Sequence, residues 1–190
     1  MDIISWINNS AFGAVSSVAS PLLTTIMSYW AESFYVVLIV ILAYFYLKKD
    51  KNFFPFGIAL VVLLLIGETL KDIVREPRPC ARGDLAWVSQ VACESSYSFP
   101  SNHATVLGGL WIFMKNYKYV RAGYIIWLVV VLFGRVYLGQ HYFTDVIAGT
   151  AISIAGCYIM YKYENAINRI VGKVLARVLG KSFSGKLPGV

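Results

Sequence analysis

Charge is what this chain has little of. Asp, Glu, Lys and Arg make up 14% of its 190 residues, against 58% hydrophobic residues, and the mean hydropathy is +0.63. A soluble domain carries roughly a quarter charged residues, so that class is excluded and an integral membrane protein is indicated. Histidine is scarcer still, with two residues. Those two and the ten acidic residues form no cluster with the spacing of metal ligands, so no metal and no other cofactor is expected. Repeats, low-complexity tracts and long linkers are missing as well. The opening MDIISW lacks the charged start, short apolar core and cleavage site of a secretory signal, so the N-terminus is expected to remain.

Long apolar runs are wanting too. The uncharged stretches are Ile3 to Ala31, Ser33 to Leu47, Asn52 to Gly67, Ala104 to Met114, Ala122 to Gly134 and Val146 to Tyr161. Only the first exceeds the roughly 20 residues of a membrane span. It holds Asn8, Asn9, Ser10, Ser16, Ser17, Ser20 and Pro21, so it reads as a helix lying at the interface, followed by a short re-entrant piece, with a sixth span as the competing form and five spans preferred. The expected fold is therefore all-α: an integral membrane bundle of five or six transmembrane helices. Residues 1–31 are an N-terminal interfacial or additional membrane helix, 32–163 the catalytic bundle, and 164–190 a cytoplasmic basic amphipathic helix and tail. In that last segment Ile167, Ile170, Val171, Val174, Leu175 and Val178 recur at helical spacing, while Arg169, Lys173 and Arg177 line another face. The closing SFSGKLPGV reads as a disordered tail.

Three segments concentrate the positive charge: Lys48 to Lys51, Lys115 to Arg121, and the chain after Lys162. The positive-inside rule places all three in the cytoplasm. The expected product is a multi-pass cell-membrane protein with residues 75–101 and 135–145 on the extracytoplasmic side. The net charge of +7 comes largely from the cytoplasmic segments, which leaves nucleic-acid binding without support. Cys80 and Cys93 share the long outer loop and are expected to pair there, whereas Cys157 falls within a span.

Because the apolar runs are short, each helix takes charged neighbours into its ends, and the outer ends collect an unusual set. Lys71 precedes Arg78 and Pro79, Pro100 to His103 opens the third span, and Arg135, His141 and Asp145 lie between the fourth and fifth. Singly, an arginine or lysine there snorkels and an aspartate caps a helix. Together they suit a phosphate. Lys71, Arg78 and Arg135 supply charged donors for a tetrahedral oxyanion, and Ser101, Asn102 and His103 sit where a helix N-terminus favours an anion. His141 and Asp145, four apart, share a helical face, and a carboxylate fixes the tautomer of a neighbouring imidazole. One histidine can attack phosphorus while the other protonates the departing oxygen. Glu68 is expected to pair with Lys71, and Asp72, Glu76 and Asp84 to be ordinary loop or helix-end charges. Trp87 or Tyr97 is expected over the pocket, and Arg75 and Arg82 are candidates to meet a second phosphate.

Lys71-x6-Arg78-Pro79, Pro100-Ser101-Asn102-His103 and Arg135-x5-His141-x3-Asp145 resemble, in order and spacing, the three signature motifs of the type 2 phosphatidic acid phosphatase superfamily. The resemblance implies a metal-independent membrane lipid phosphatase with its active site at the extracytoplasmic helix ends. It makes His141 the nucleophile that becomes a phosphohistidine, Asp145 its orienting partner and His103 the general acid. Lys71, Arg78, Ser101, Asn102 and Arg135 would bind the phosphate. Two positions depart from the usual pattern: Asn102 stands where glycine is common, and Gly134 where serine is. A polar residue between serine and histidine resembles the bacitracin-resistance branch, which acts on undecaprenyl diphosphate. The implied substrate is a polyprenyl diphosphate, undecaprenyl- or dolichyl-type, cleaved to the monophosphate to recycle the carrier. The competing readings are a phosphatidic acid or phosphatidylglycerophosphate phosphatase and, from another class, an anionic-lipid transporter that does not hydrolyse.

Overall fold

A computed structural model describes residues 2–83, 85–88, 91–179 and 188–189. Asp84 and the tail SFSGKLPGV, apart from residues 188–189, lie outside the described residues. Among the described residues eight α-helices follow one another: α1 (Ile3–Ser16), α2 (Pro21–Glu32), α3 (Phe34–Leu47), α4 (Phe53–Val74), α5 (Asn102–Leu107), α6 (Lys118–Tyr137), α7 (Phe143–Lys162) and α8 (Glu164–Leu179). Short 3₁₀ turns occupy Pro79–Arg82, Ala86–Val88 and Leu110–Met114. No strand occurs among the described residues.

Among the described residues four helical segments are long and apolar enough to cross a membrane: Pro21–Leu47, Phe53–Arg82, Lys118–Tyr137 and Phe143–Lys162. The protein is a multi-pass membrane bundle. The first crossing starts earlier than the sequence suggested, at Pro21 rather than Ser33, because α2 and α3 run on from each other through Ser33. Its polar residues satisfy themselves. The Thr24, Thr25 and Ser28 hydroxyls each donate to the carbonyl four residues back at 2.9–3.0 Å, so they cost little inside an apolar helix.

The expected third span is not a continuous helix. It consists of the six residues of α5 and the 3₁₀ turn that follows, yet it covers the depth of a passage antiparallel to α4. Asn102 lies against Gly67, and lower down the Phe113 ring meets Phe56 at 5.9 Å. Backbone that leaves the helix at membrane depth must be satisfied within the protein. Here Tyr124 donates to the Leu107 carbonyl at 2.7 Å, Trp111 Nε1 to Gly108 at 3.0 Å, and the Gly109 N–H reaches Ser153 Oγ at 2.8 Å. The broken passage fits only because α7 offers Gly149, where a Cβ would come within 2.9 Å of the Ser101 carbonyl, Ala104 and Thr105. Close crossings at small residues are the usual means of helix association in a bilayer. Phe45, Phe56, Ala59, Leu63, Leu107, Phe113, Tyr124 and Val131 fill the core between the passages.

α1, at 14 residues, is not among the spanning helices. Asn8 pairs with Thr144 at the start of α7 through its amide and its carbonyl oxygen, at 3.0 and 3.2 Å. The Tyr137 hydroxyl ties the α1–α2 link to the end of α6 through Ser20 and Thr24. The opposite end of the bundle gathers the basic connections. Lys51 pairs with Glu164 at 2.5 Å, Asn168 donates to the Lys51 carbonyl at 2.8 Å, and Asn52 to that of Phe113 at 3.2 Å. This docks the start of α8 against the α3–α4 connection.

Candidate active site

At the end of α4, Arg75 takes a left-handed conformation with φ 54°, which turns the chain out of the helix. Lys71, one turn earlier, stays buried and donates to Ser96 Oγ at 3.3 Å. Beyond the turn Arg78 is fully engaged. Its Nε donates to the Ser96 carbonyl at 2.8 Å, Nη1 to the Gln140 carbonyl at 2.7 Å and to His141 Nε2 at 3.1 Å, and Nη2 to Ser96 Oγ at 2.8 Å and Glu94 Oε2 at 2.6 Å. Glu94 Oε1 binds Arg135, in the last turn of α6. Lys71, Arg78, Arg135, His141 and Asp145 each expose 3% or less of their surface.

The turn between α6 and α7 supplies His141, and the first turn of α7 supplies Asp145. His141 Nδ1 lies 2.8 Å from the Ser98 carbonyl, an acceptor only, which places the proton on Nδ1 and leaves the Nε2 lone pair to accept from Arg78. Asp145 Oδ2 is 3.7 Å from Nδ1, beyond a hydrogen bond. Its nearer partners are Ser98 Oγ at 2.5 Å and the Tyr142 N–H at 2.9 Å, which it caps at the start of α7. Ser98 thus stands between the two. It holds the imidazole through its carbonyl and is itself held by Asp145 through its hydroxyl. Burial, followed by the charges of Arg135, Arg78 and Lys71, pushes His141 well below the ordinary 6.5, so the imidazole is neutral. Burial raises Glu94, but Arg135 and Arg78 outweigh it and hold the carboxyl down to about 2.

α5 brings the remaining predicted residues. His103 has a buried, unpartnered Nε2, and its ring packs edge-on against Phe34 at 4.7 Å. Ser101 is buried with its hydroxyl unpartnered. Asn102 donates to Glu68 and fills the space Gly67 leaves open, where a Cβ would stand 2.5 Å from Asn102 Oδ1. His103 and His141 face a common cavity of about 560 Å³. Its polar end holds Lys71, Glu94, Ser96 and Asn102, and its other end is walled by Phe34, Leu38, Leu60 and Leu64 of α3 and α4. Among the described residues no group of three or more His, Cys, Asp or Glu is placed to hold a metal.

Several expectations are corrected. Glu68 is bonded to Asn102, and Lys71 to Ser96. Arg75 turns back to the Asp72 carbonyl at 2.9 Å, and Arg82 stacks on Tyr142 at 5.3 Å, so neither reaches the cavity. Trp87 donates to the Tyr137 carbonyl at 3.0 Å instead of covering the pocket, and Tyr97 is likewise absent from its walls. A side chain at Gly134 would touch Met27 at 3.5 Å, so this position faces α2. Cys80 and Cys93, by contrast, are bridged as expected. Glu94, Ser96, Ser98 and Gln140 were not singled out from the sequence. Gln140 at least adjoins His141 in the third motif, whereas the other three lie in a loop without periodicity.

The family model of the PAP2 superfamily matches residues 52–169, which include every one of these site residues. The chain belongs to the PAP2 superfamily. Among PAP2 relatives, phosphatidylglycerophosphatase B of Bacillus subtilis is 31% identical over 166 residues, covering 77% of this chain and 76% of the relative. Undecaprenyl-diphosphatase of Sulfolobus acidocaldarius is 31% identical over 94 residues, 48% of this chain and 45% of the relative. Sphingosine-1-phosphate phosphatase 1 of Mus musculus is 32% identical over 117 residues, but the matched region spans only 27% of that protein. Two solved structures share the PAP2 fold. The PAP2-type phosphatidylglycerolphosphate phosphatase from Bacillus subtilis has a TM-score of 0.69 at 25% identity, covering 88% of this chain and 89% of that one. Aquifex aeolicus LpxE has a TM-score of 0.64 at 21% identity, covering 86% and 100%, and shows the fold alone.

Proposed function

We propose that the chain is a membrane lipid phosphatase that passes a phosphoryl group from its substrate to His141 and then to water. The observation that carries this is the cavity itself. At one end stand Lys71 and a neutral histidine whose Nε2 carries the lone pair, with the buried Arg78 and Arg135 held behind Glu94, and at the other stands an apolar wall fit for a lipid chain. In the first step the His141 Nε2 lone pair forms a bond to phosphorus while the bond from phosphorus to the lipid oxygen breaks. His103, protonated once the substrate's anionic phosphate stands beside it, gives that proton to the oxygen. In the second step His103 takes a proton from water, the water oxygen attacks phosphorus, and the bond to His141 breaks to release phosphate. Lys71, Arg78 and Arg135 of the chain meet the charge on the transferred group, which makes the chemistry metal-independent. Ser101 and Asn102 complete the phosphate-binding set, and Asp145 acts on His141 through Ser98.

The substrate is a polyprenyl diphosphate, and the site opens on the extracytoplasmic side. Asn102 between Ser101 and His103, together with a relative named undecaprenyl-diphosphatase, supports the first part. Arg75 and Arg82 lend no support to a second phosphate. The second part rests on the basic segments gathered at the end opposite the site, with α1 lying at the outer interface and α8 along the inner leaflet. The test is phosphate release from purified protein, in detergent with EDTA, on a C15 or C55 prenyl diphosphate, phosphatidic acid and phosphatidylglycerophosphate. Sealed right-side-out vesicles given a soluble aryl phosphate report the side. The prenyl diphosphate is expected to be cleaved most efficiently, and the aryl phosphate without permeabilisation. About tenfold preference for either glycerolipid would replace the substrate reading, and flux of lipid without phosphate release would point to a transporter.

A further inference from the structure

Glu94 has no role in the chemistry above, yet it occupies the centre of the site. Its two carboxylate oxygens bridge Arg78 and Arg135, one guanidinium each. Both guanidiniums are buried, whereas 46% of the Glu94 side chain is exposed on the cavity side. The adjacent backbone is fixed. Gln140 Oε1 accepts from the Glu94 N–H at 3.2 Å, Gln140 Nε2 donates to the Ala92 carbonyl at 2.9 Å, and Cys93 is bridged to Cys80, two residues after Arg78. The Cys80 N–H in turn donates to Gly139 at 2.8 Å. The nucleophile is engaged in the same network, since His141 Nε2 accepts from the Arg78 guanidinium that Glu94 holds.

A carboxylate bridging two guanidiniums reproduces two oxygens of a phosphate. We propose that Glu94 is a built-in phosphate surrogate: its carboxylate closes the site at rest, and a substrate phosphate must displace it to reach Arg78, Arg135 and His141. The fixed backbone and exposed side chain suit this, because the carboxylate can swing into the cavity opening while residues 92–94 stay in place. When it leaves, Arg78 Nη2 and Arg135 Nη2 are freed for the phosphate beside His141, and the Nη1 bond to Nε2 gives way to phosphorus while the Ser96 and Gln140 carbonyls keep the guanidinium in place. The consequence is a threshold, since an anion too weak to compete with a fixed carboxylate leaves the nucleophile covered. Glu94 remains ionised at any working pH, so the closure does not titrate away.

This inference rests on the proposed phosphate site, and its test separates the two. The full-length protein in detergent is titrated with inorganic phosphate by calorimetry, as native chain, Glu94→Gln and Glu94→Asp. A site closed nine-tenths of the time binds about tenfold more weakly than an open one, so Glu94→Gln is expected to bind phosphate about tenfold more tightly. Glu94→Asp, too short to span both guanidiniums, is expected to fall between and serves alone if the glutamine variant does not fold. The inhibition constant for phosphate should move with the binding constant. Unchanged or weaker binding in the variants overturns the inference, the latter making Glu94 a positioning residue for the arginines. Absence of phosphate binding in all three chains overturns both the inference and the proposed function. Tightened binding without hydrolysis of any lipid phosphate leaves the inference standing and removes the phosphatase.

Discussion

His141 carries its proton on Nδ1 because the Ser98 carbonyl can only accept, and that single bond decides which nitrogen is free to attack. Burial and three neighbouring cations keep the ring neutral. The folded value lies below the unfolded one, so the unfolded chain takes up the proton first as pH falls. The contribution of this residue to stability is complete above an ordinary histidine value of about 6.5 and is lost progressively below it. The chain has only two histidines, which makes the tautomer directly measurable. Nitrogen NMR of ring-labelled protein, assigned with a His103 variant, is expected to show His141 neutral and protonated on Nδ1 at about pH 6; a doubly protonated ring there contradicts the geometry. At this scale the motif residues were legible in the sequence because their spacings are short and each type has a chemistry of its own. Ser98 and Glu94 were not, since a serine and a glutamate in an aperiodic loop look like any others until the fold brings them to Asp145 and Arg135. The Asp145 to His141 relation was legible only in outline: spacing put them on one turn, but Asp145 spends its oxygen on Ser98 and the cap of α7.

The helical elements were read from apolar runs, and those runs report burial rather than continuity. Ala104 to Met114 shows this. Its composition is that of a span, and it does follow the depth of one, but Gly108 and Gly109 interrupt the helix and Tyr124, Trp111 and Ser153 take over the released backbone groups. No local pattern announces such partners, because they arrive from α6, α7 and the turn itself. The late start given to the first crossing has another cause: the charge of Glu32 divided the apolar runs, whereas α2 and α3 run on through Ser33 and the α2 hydroxyls are satisfied within their own helix. The close crossing of α5 on α7 gives a measurable consequence. Gly149→Ala places a methyl within 2.9 Å of three neighbours and is expected to destabilise by about 1–3 kcal/mol, lowering the melting temperature by roughly 2–4 °C per kcal/mol. Gly123, also inside a helix, has nothing within 4 Å of its added carbon, so Gly123→Ala is expected to leave the melting temperature level or raised. Equal effects at the two positions contradict the tight crossing.

The whole molecule separates its tasks by end. One end gathers Lys51, Asn52, Glu164 and Asn168 and docks α8, while the other gathers the buried cations, both histidines and the disulfide-tied loop. The end-to-end division was legible from the distribution of lysine and arginine, since topology is written in charge outside the spans. How the long loop folds down onto the α6–α7 turn was not, because that contact depends on Gln140 reaching Glu94 and Ala92 across 46 and 48 positions, and on the Cys80 N–H donating to Gly139. One covalent bond, from His141 Nε2 to phosphorus, carries the proposed mechanism. Native protein mixed with a lipid phosphate carrying labelled phosphorus, quenched within the first turnovers and digested, tests it most directly. The expected result is an acid-labile, alkali-stable phosphoryl group on the peptide that contains His141, absent from His141→Gln, which should also release no phosphate. Label on another residue, or full turnover by His141→Gln, contradicts it.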